Sequence, residues 1–538
     1  MSTLYLWELE NPSLGNLLEE KTRRDRDSVV VLHEEQRITY GQLNEHANRA
    51  ANGLLKLGVR KGDTVCLWLP NSPEWLYLWF GMAKIGAILV PVLPGLNSAY
   101  LAHQINQSDA ETVILHASFL DAFDDIAERL IHMKRVIVDT REASSGMAEL
   151  PPGSIPLDRV FDSSAKSPAV DVGYPDIAHI VYTSGTTGFP KGLVMRHPAP
   201  VPKPATPPPP PADSPYAMKP GDTIYMFYPL PTWFAMFAGG FAVDLAVAFP
   251  REKRYDRFWH DARRYNATMF MYFADLIPAL LREPEKENDG DNPVRFCMGI
   301  MAPKDPESVP AFEKRFNVKV IETYASSEGG GVSINEAGTV GSVGKPVPNL
   351  EVKIVDDNGN ERGPNEVGEI VHRRKSGDPI TVEYYKMPEQ SAAKTRDGWF
   401  HSDDLGCKDE DGNLYFVDRK LDVIKSGGRY IFASTVEAAL SEHPGISECV
   451  AVGVPCGPED DEIKLCVVRK KGVALSPEEA FRFCVEKLEN YMVPRYIEFK
   501  NEFPRSSRGK VQRIKLRAEG ITPETWDRNK SRFKSSRV

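Results

Sequence analysis

The residues with the clearest chemical purpose lie between 182 and 192. Tyr182-Thr183-Ser184-Gly185-Thr186-Thr187-Gly188-Phe189-Pro190-Lys191-Gly192 alternates hydroxyls with glycines and closes on a lysine. Glycines let backbone amides converge on an anion, hydroxyls donate from the sides, and the lysine brings a mobile positive charge suited to polyphosphate. It is not a Walker A loop, because no glycine immediately precedes the lysine and no Ser or Thr follows it. Downstream stand a carboxylate after a strand-like stretch (Glu328), a carboxylate pair (Asp403-Asp404), the pair Asp418-Arg419, a Lys-Ser-Gly-Gly run at 425–428 and a basic loop ending in Lys510. Taken singly, such groups belong to solvated surface. Their order carries the information.

These residues need a scaffold, and the sequence outlines one. From residue 28 to about 400, helix-like and strand-like segments alternate, as in α/β layers. Thr39-Tyr40-Gly41-Gln42 is a capping-box pattern, followed by Leu43, Ala47, Ala50, Leu54 and Leu55 at helical spacing. Asn71-Ser72-Pro73 announces a second helix that stops at Gly86. Ile88–Val92, Thr112–Leu115, Arg135–Asp139 and Val318–Ile321 read as buried strands. After Asp418 a smaller α+β texture begins, with strands at Glu448–Val454, Ile463–Arg469 and Tyr496–Phe499 and a helix from Pro477 to Glu489. The segment 198–220 is so rich in proline that it reads as an extended surface loop.

Composition narrows the function classes. The 538 residues hold 66 basic and 75 acidic side chains, a net charge of −9 that gives no support to nucleic-acid binding. Seven scattered cysteines, with no CxxC pair and no histidine cluster, suit reduced thiols in the cytoplasm rather than a zinc site or disulfide scaffold. The apolar stretches Trp75–Leu93 and Phe234–Phe249 each carry a charge (Lys84, Asp244) and read as core rather than membrane insertion.

The loop at 182–192 resembles the phosphate loop of the adenylate-forming superfamily: acyl-CoA synthetases, peptide-synthetase adenylation domains and firefly-type luciferases. Tyr324-Ala325-Ser326-Ser327-Glu328, Gly398-Trp399-Phe400-His401-Ser402-Asp403-Asp404, Asp418-Arg419 through Gly427-Gly428, and Pro504-Arg505-Ser506-Ser507-Arg508-Gly509-Lys510 are similar to four further motifs, in the family's order. Leu516-Arg517-Ala518-Glu519-Gly520 and Trp526-Asp527 resemble the stand-alone carnitine/crotonobetaine-type acyl-CoA ligases most. The resemblance implies a large N-terminal domain of layered sheets and helices (1–418) and a small α+β C-terminal domain (419–538) that rotates. It implies ATP, Mg²⁺ and CoA as ligands, with a carboxylic acid as co-substrate and a homodimer as the assembly.

Site roles follow from the same resemblance. Thr183, Ser184, Gly185, Thr186, Thr187, Gly188 and Lys191 would bind phosphates, and Ser327 would donate to the α-phosphate. Tyr324 would stack on adenine, and Asp404 would accept the ribose hydroxyls. Arg419 and Lys425 would support the nucleotide. Glu328 would hold Mg²⁺. Lys510 would stabilise charge growing during attack on the α-phosphorus. Gly427, Gly428 and Arg429 would line the CoA channel, and Trp233, Phe234, Gly239, Gly299 and Gly329 the acyl pocket. The small residues suggest a bulky, mostly apolar acid.

Several positions depart from the family pattern. Asp403 stands where the family has glycine, adding repulsion beside Asp404 unless a cation intervenes. Ala325 replaces another glycine, Leu421 occupies the hinge position, and the proline-rich segment replaces the helix that buttresses the phosphate loop. Three readings therefore stand side by side. The first is a complete acyl-CoA ligase. The second is a thioesterification enzyme fed by a separate adenylating enzyme, and the third a non-catalytic adenylate-binding protein.

Overall fold

The computed structural model describes residues 9, 11–96, 98–141, 150–183, 189–197, 216–232, 244–273, 276–300, 308–426, 429–457, 460–505 and 511–530. Strands that read as unbroken apolar runs are those covered on both faces, as parallel sheets require. A seven-stranded sheet runs in the order Ile155–Pro156, Arg135–Asp139, Thr112–His116, Thr64–Trp68, Ile88–Pro91, Ile177–Thr183, Lys191–Arg196. Its last two strands form an antiparallel hairpin in which Thr183 faces Lys191. A nine-stranded sheet places Lys319–Ser326, Phe296–Ile300, Met269–Phe273 and Thr223–Tyr225 side by side and parallel. The helices Leu14–Arg24, Tyr40–Lys56 and Pro73–Ile85 share one buried cluster with strands of both sheets.

Local signals act as expected in most places. Thr39 Oγ1 accepts from the Gln42 amide at 3.2 Å, and Gln42 Oε1 accepts from the Thr39 amide at 2.9 Å. The helix from Pro73 ends at Gly86, whose φ of +68° belongs to the left-handed region. Ser72 takes the cap position, but its hydroxyl makes no capping bond. That helix is buried all round through Trp75, Trp79 and Phe80, so its apolar character serves the core. Among the described residues no helix is long and apolar enough to cross a membrane. The expected loop at 198–220 lies outside the described residues up to 215.

A third, antiparallel sheet of Leu350–Val355, Gly368–Arg374, Thr395–Arg396, Trp399–Lys408 and Leu414–Arg419 carries Asp403, Asp404 and Arg419. Sheet membership then changes between Arg419 and Val423. The hairpin Val423–Ser426/Arg429–Phe432, the helix Ala433–Ser441 and the sheet of Ile446–Gly457, Asp460–Arg469, Tyr496–Lys500 and Trp526–Asp527 surround a separate core centred on Ile431, Leu465 and Phe481. The architecture is the α/β one expected, with a small α+β module at the C-terminus.

Two buried carboxylates give the fold opposite responses to pH. Glu498 lies 2.7 Å from Lys464 Nζ, both side chains almost wholly buried, and also accepts from Thr525 at 2.6 Å. Burial opposes its charge, yet the bonds from Lys464, Lys500 and Thr525 prevail and hold the carboxyl at about 2. Burial instead pushes Glu322 to about 7, because a bond from Asn335 Nδ2 at 3.3 Å is too weak to compensate and Oε1 has no hydrogen-bond partner among the described residues. Stability from Glu498 is therefore present above the ordinary carboxylate pKa of about 4.3 and lost as pH falls toward 2. Stability from Glu322 is present below that value and lost as pH rises through 7. In thermal melts at pH 7, Glu498→Gln should cost about 3–5 kcal/mol, the range for a broken buried pair. Glu322→Gln should raise the melting temperature at pH 8 and leave it nearly unchanged at pH 5.

Candidate active site

The hairpin places Thr183 and Lys191 opposite one another, on either side of residues 184–188. Glu328 reaches this hairpin from the turn after Lys319–Ser326. Its Oε1 accepts from Thr183 Oγ1 and from Tyr384 Oη, each at 3.3 Å. Burial and the nearby Glu328 charge hold the Tyr384 hydroxyl above its usual range, so it stays a donor. Lys191 Nζ sits 5.1 Å from the Tyr384 ring centroid. Among the described residues no lysine or arginine pairs with Glu328, which leaves a half-buried carboxylate with two long hydroxyl bonds. Such a donor set fits Mg²⁺, which takes one or two protein carboxylates and fills its remaining positions with phosphate oxygens and water.

A second group forms where the nine-stranded and five-stranded sheets meet. Tyr324 Oη donates to Asp404 Oδ2 at 2.6 Å. Strand pairing sets Asp404 opposite Arg419, whose Nε lies 3.8 Å from Oδ1. Ser402 Oγ accepts the Asp404 amide at 3.0 Å and donates to Ile370 O at 2.7 Å, fixing the strand at this point. Burial raises the Asp404 carboxyl, against the bonding of Tyr324 and the charge of Arg419. Oδ1 is the oxygen left for a diol.

Tyr324 is 1% exposed and packs near Phe416, and its hydroxyl orients Asp404. The two described glycines expected at the acyl pocket are closely packed. A Cβ on Gly299 would lie 2.2 Å from the Tyr272 ring, and one on Gly329 would lie 2.8 Å from His372 and from Phe400, so these glycines admit neighbouring side chains.

The remaining departures have physical reasons as well. Asp403 adopts φ +60°, a conformation natural to glycine and tolerated by aspartate, so the backbone path survives the substitution. The cation that the adjacent carboxylates require is Lys394, 2.6 Å from Asp403 Oδ2. Ala325 lies in an extended strand, where a Cβ costs nothing. Ser327 is exposed, one residue before Glu328.

Other expected residues are only partly in view. Ser184, Gly185, Thr186, Thr187, Gly188, Trp233, Phe234, Gly239, Gly427, Gly428 and Lys510 lie outside the described residues. Lys425 and Arg429 are seen as backbone only, within a two-stranded hairpin, and Leu421 as backbone between the sheets. The anchors of the Lys510 loop are clear. Arg505 and Val511 bridge, and Gln512 N donates to Pro504 O at 2.7 Å, which pins the chain on both sides of 506–510. Arg513 donates to Glu437 at 2.7 Å and to Ala451 O at 3.0 Å. Sequence reasoning missed Tyr384, Lys394, Ser402 and Arg513 as supports. For Tyr384 and Arg513 the signal lies in long-range pairing, 56 residues to Glu328 and 76 to Glu437.

A family model of AMP-binding enzymes matches residues 18–384, and one of the AMP-binding enzyme C-terminal domain matches 435–510. The chain belongs to the AMP-binding enzyme family. Curated relatives include the crotonobetaine/carnitine–CoA ligase of Escherichia coli O139:H28 (strain E24377A / ETEC), 30% identical over 507 residues, 89% of this chain and 93% of that protein. The protein of that name from Shigella flexneri is 30% identical over 503 residues, with the same coverage. Among solved structures, anthranilate CoA ligase in complex with anthranoyl-AMP is similar in fold, with a TM-score of 0.77 and 23% identity, covering 95% of this chain and 98% of that one. The o-succinylbenzoate CoA synthetase from Bacillus subtilis, with its acyl-adenylate intermediate, has a TM-score of 0.76 and 21% identity, covering 96% and 98%.

The Asp403–Lys394 pair supplies a test at this site. Lys394→Ala should weaken Mg²⁺-ATP binding about three- to tenfold, the scale of an uncompensated neighbouring charge. Adding Asp403→Gly should restore it, as titration calorimetry on the single and double variants would read.

Proposed function

We propose that the protein is an AMP-forming acid–CoA ligase. A carboxylate attacks the α-phosphorus of ATP, pyrophosphate leaves, and the CoA thiol then displaces AMP from the acyl-adenylate. The observation that carries this reading is the Glu328 carboxylate, held against Thr183 at the root of the Ser/Thr/Gly loop with no cation paired to it among the described residues. Mg²⁺ bound there would neutralise polyphosphate charge. Thr183, Ser184, Gly185, Thr186, Thr187, Gly188 and Lys191 bind the phosphates, and Ser327 the α-phosphate. Asp404, steadied by Tyr324 and Ser402, accepts the ribose hydroxyls, with Arg419 and Lys425 alongside. Lys510 stabilises the charge that develops in the first half-reaction, and Gly427, Gly428 and Arg429 border the CoA path. The small domain turns about residues 419–422, where sheet membership changes.

The acid we infer is compact, near the size of the carnitine-type acids in the relatives' names. Tyr272, His372 and Phe400 occupy the space beside Gly299 and Gly329, which supports this over a long apolar chain. A cytoplasmic location and a homodimer belong to the same reading. The separate adenylating enzyme of the alternative reading has no support in the described site.

Pyrophosphate exchange across a panel of short and long carboxylic acids tests the reading, with exchange expected for compact acids. Glu328→Gln should lower exchange by about two orders of magnitude, the scale of one lost electrostatic contact in a closed site. Binding of an unreactive acyl-adenylate analogue without binding of Mg²⁺-ATP would overturn the complete-ligase reading in favour of thioesterification alone.

A further inference from the structure

The proline-rich segment stands where a buttressing helix is expected, yet both flanks of the phosphate loop are held, and by one element: the helix Ser98–Gln107. On the incoming flank, Tyr182 Oη bonds to Gln107 Oε1, while Gln107 Nε2 donates to Tyr385 O at 2.7 Å. On the outgoing flank, the His103 ring stacks on Phe189, centroids 4.5 Å apart and planes at 26°, and Tyr100 meets Phe189 edge-on at 5.5 Å. His103 Nε2 lies 3.1 Å from Pro190 O. A carbonyl only accepts, so Nε2 carries the proton and donates.

Phe189 is 51% exposed, an unusual place for a large ring beside a catalytic loop. Its contacts explain it. A ring at this position gives the loop a flat handle, and His103 grips the handle by stacking while bonding the next carbonyl. Two contacts to consecutive residues fix both the position and the twist of the chain entering Lys191. The C-terminal module touches the same helix, with Lys515 Nζ 5.2 Å from the Tyr100 ring centroid.

We propose that His103 is a positioning residue for the adenylation half-reaction: through Phe189 and Pro190 it sets the outgoing arm of the phosphate loop. The proposal rests on the ligase reading. Its effect falls on ATP, because the loop contacts polyphosphate, and not on transfer from adenylate to CoA, during which no polyphosphate is bound.

The test compares the two half-reactions in His103→Ala, His103→Phe (ring without donor), His103→Gln (donor without stacking ring) and Phe189→Leu. In pyrophosphate exchange, His103→Ala should raise KM for Mg²⁺-ATP about tenfold with little change in kcat, the mark of lost binding rather than lost chemistry. His103→Phe and His103→Gln should each recover part of that loss. The double variant His103→Ala/Phe189→Leu should be no worse than His103→Ala alone, since the two residues act through one contact. Transfer of the acyl group from a synthetic acyl-adenylate to CoA should stay at the wild-type rate in all variants. An unchanged KM for Mg²⁺-ATP, an equal fall in both half-reactions, or additive single effects would overturn the proposal. If the wild-type protein binds Mg²⁺-ATP but shows no exchange with any acid, the ligase reading fails alone. The dissociation constant of Mg²⁺-ATP in the same variants then decides the role of His103, and equal affinities overturn it.

Discussion

The hydrogen bond from Tyr324 to Asp404 joins two sheets that have no strand in common. Tyr324 lies in the nine-stranded sheet, one turn before Glu328, and Asp404 lies in the five-stranded sheet, paired with Arg419. Burying a carboxylate without strong partners costs several kcal/mol, so the two sheets are held to the spacing at which this bond forms. Once that spacing is set, the turn carrying Glu328 faces the hairpin of Thr183 and Lys191, and Tyr384 falls between them. The candidate nucleotide-side residues come from three sheets, and this buried contact acts together with the Val343–Leu414 backbone bonds and the apolar cluster around Tyr324, Val343 and Leu414.

The described site divides its labour by solvent exposure. The two tyrosines that orient carboxylates through their hydroxyls, Tyr324 and Tyr384, are buried, as is Asp404. Glu328, Ser327 and Arg419 are partly or fully open to solvent. Among the described residues the Glu328 carboxylate has hydroxyl partners and no cation, which suits a ligand that brings its own positive charge.

Much of this was legible in the chain because it is local. The capping box at Thr39, the glycine stop at Gly86 and the parallel strands at Thr112 and Arg135 follow from neighbours a few residues apart. The motif residues were legible for a different reason: their types and order resemble a family. The supports were not, since Lys394 matters only because it lies beside Asp403, and His103 only because it meets Phe189 from 86 positions earlier. Side-chain neighbours of the glycines were equally out of reach: nothing near Gly299 or Gly329 in sequence announces Tyr272, His372 and Phe400, which pack against them.

The left-handed backbone at Asp403 also constrains how this site arose. Codons for glycine and aspartate differ by one base, and both residues sit at positive φ at little cost, so a single mutation separates the family's residue from this one without an unstable intermediate. Charge is less forgiving than backbone. A new carboxylate beside Asp404 would have met only repulsion on a chain that lacked Lys394, so the order of low cost places the lysine first and the aspartate second. The present pair then works as a ratchet, since loss of the lysine alone strands the aspartate, while loss of the aspartate alone merely frees the lysine.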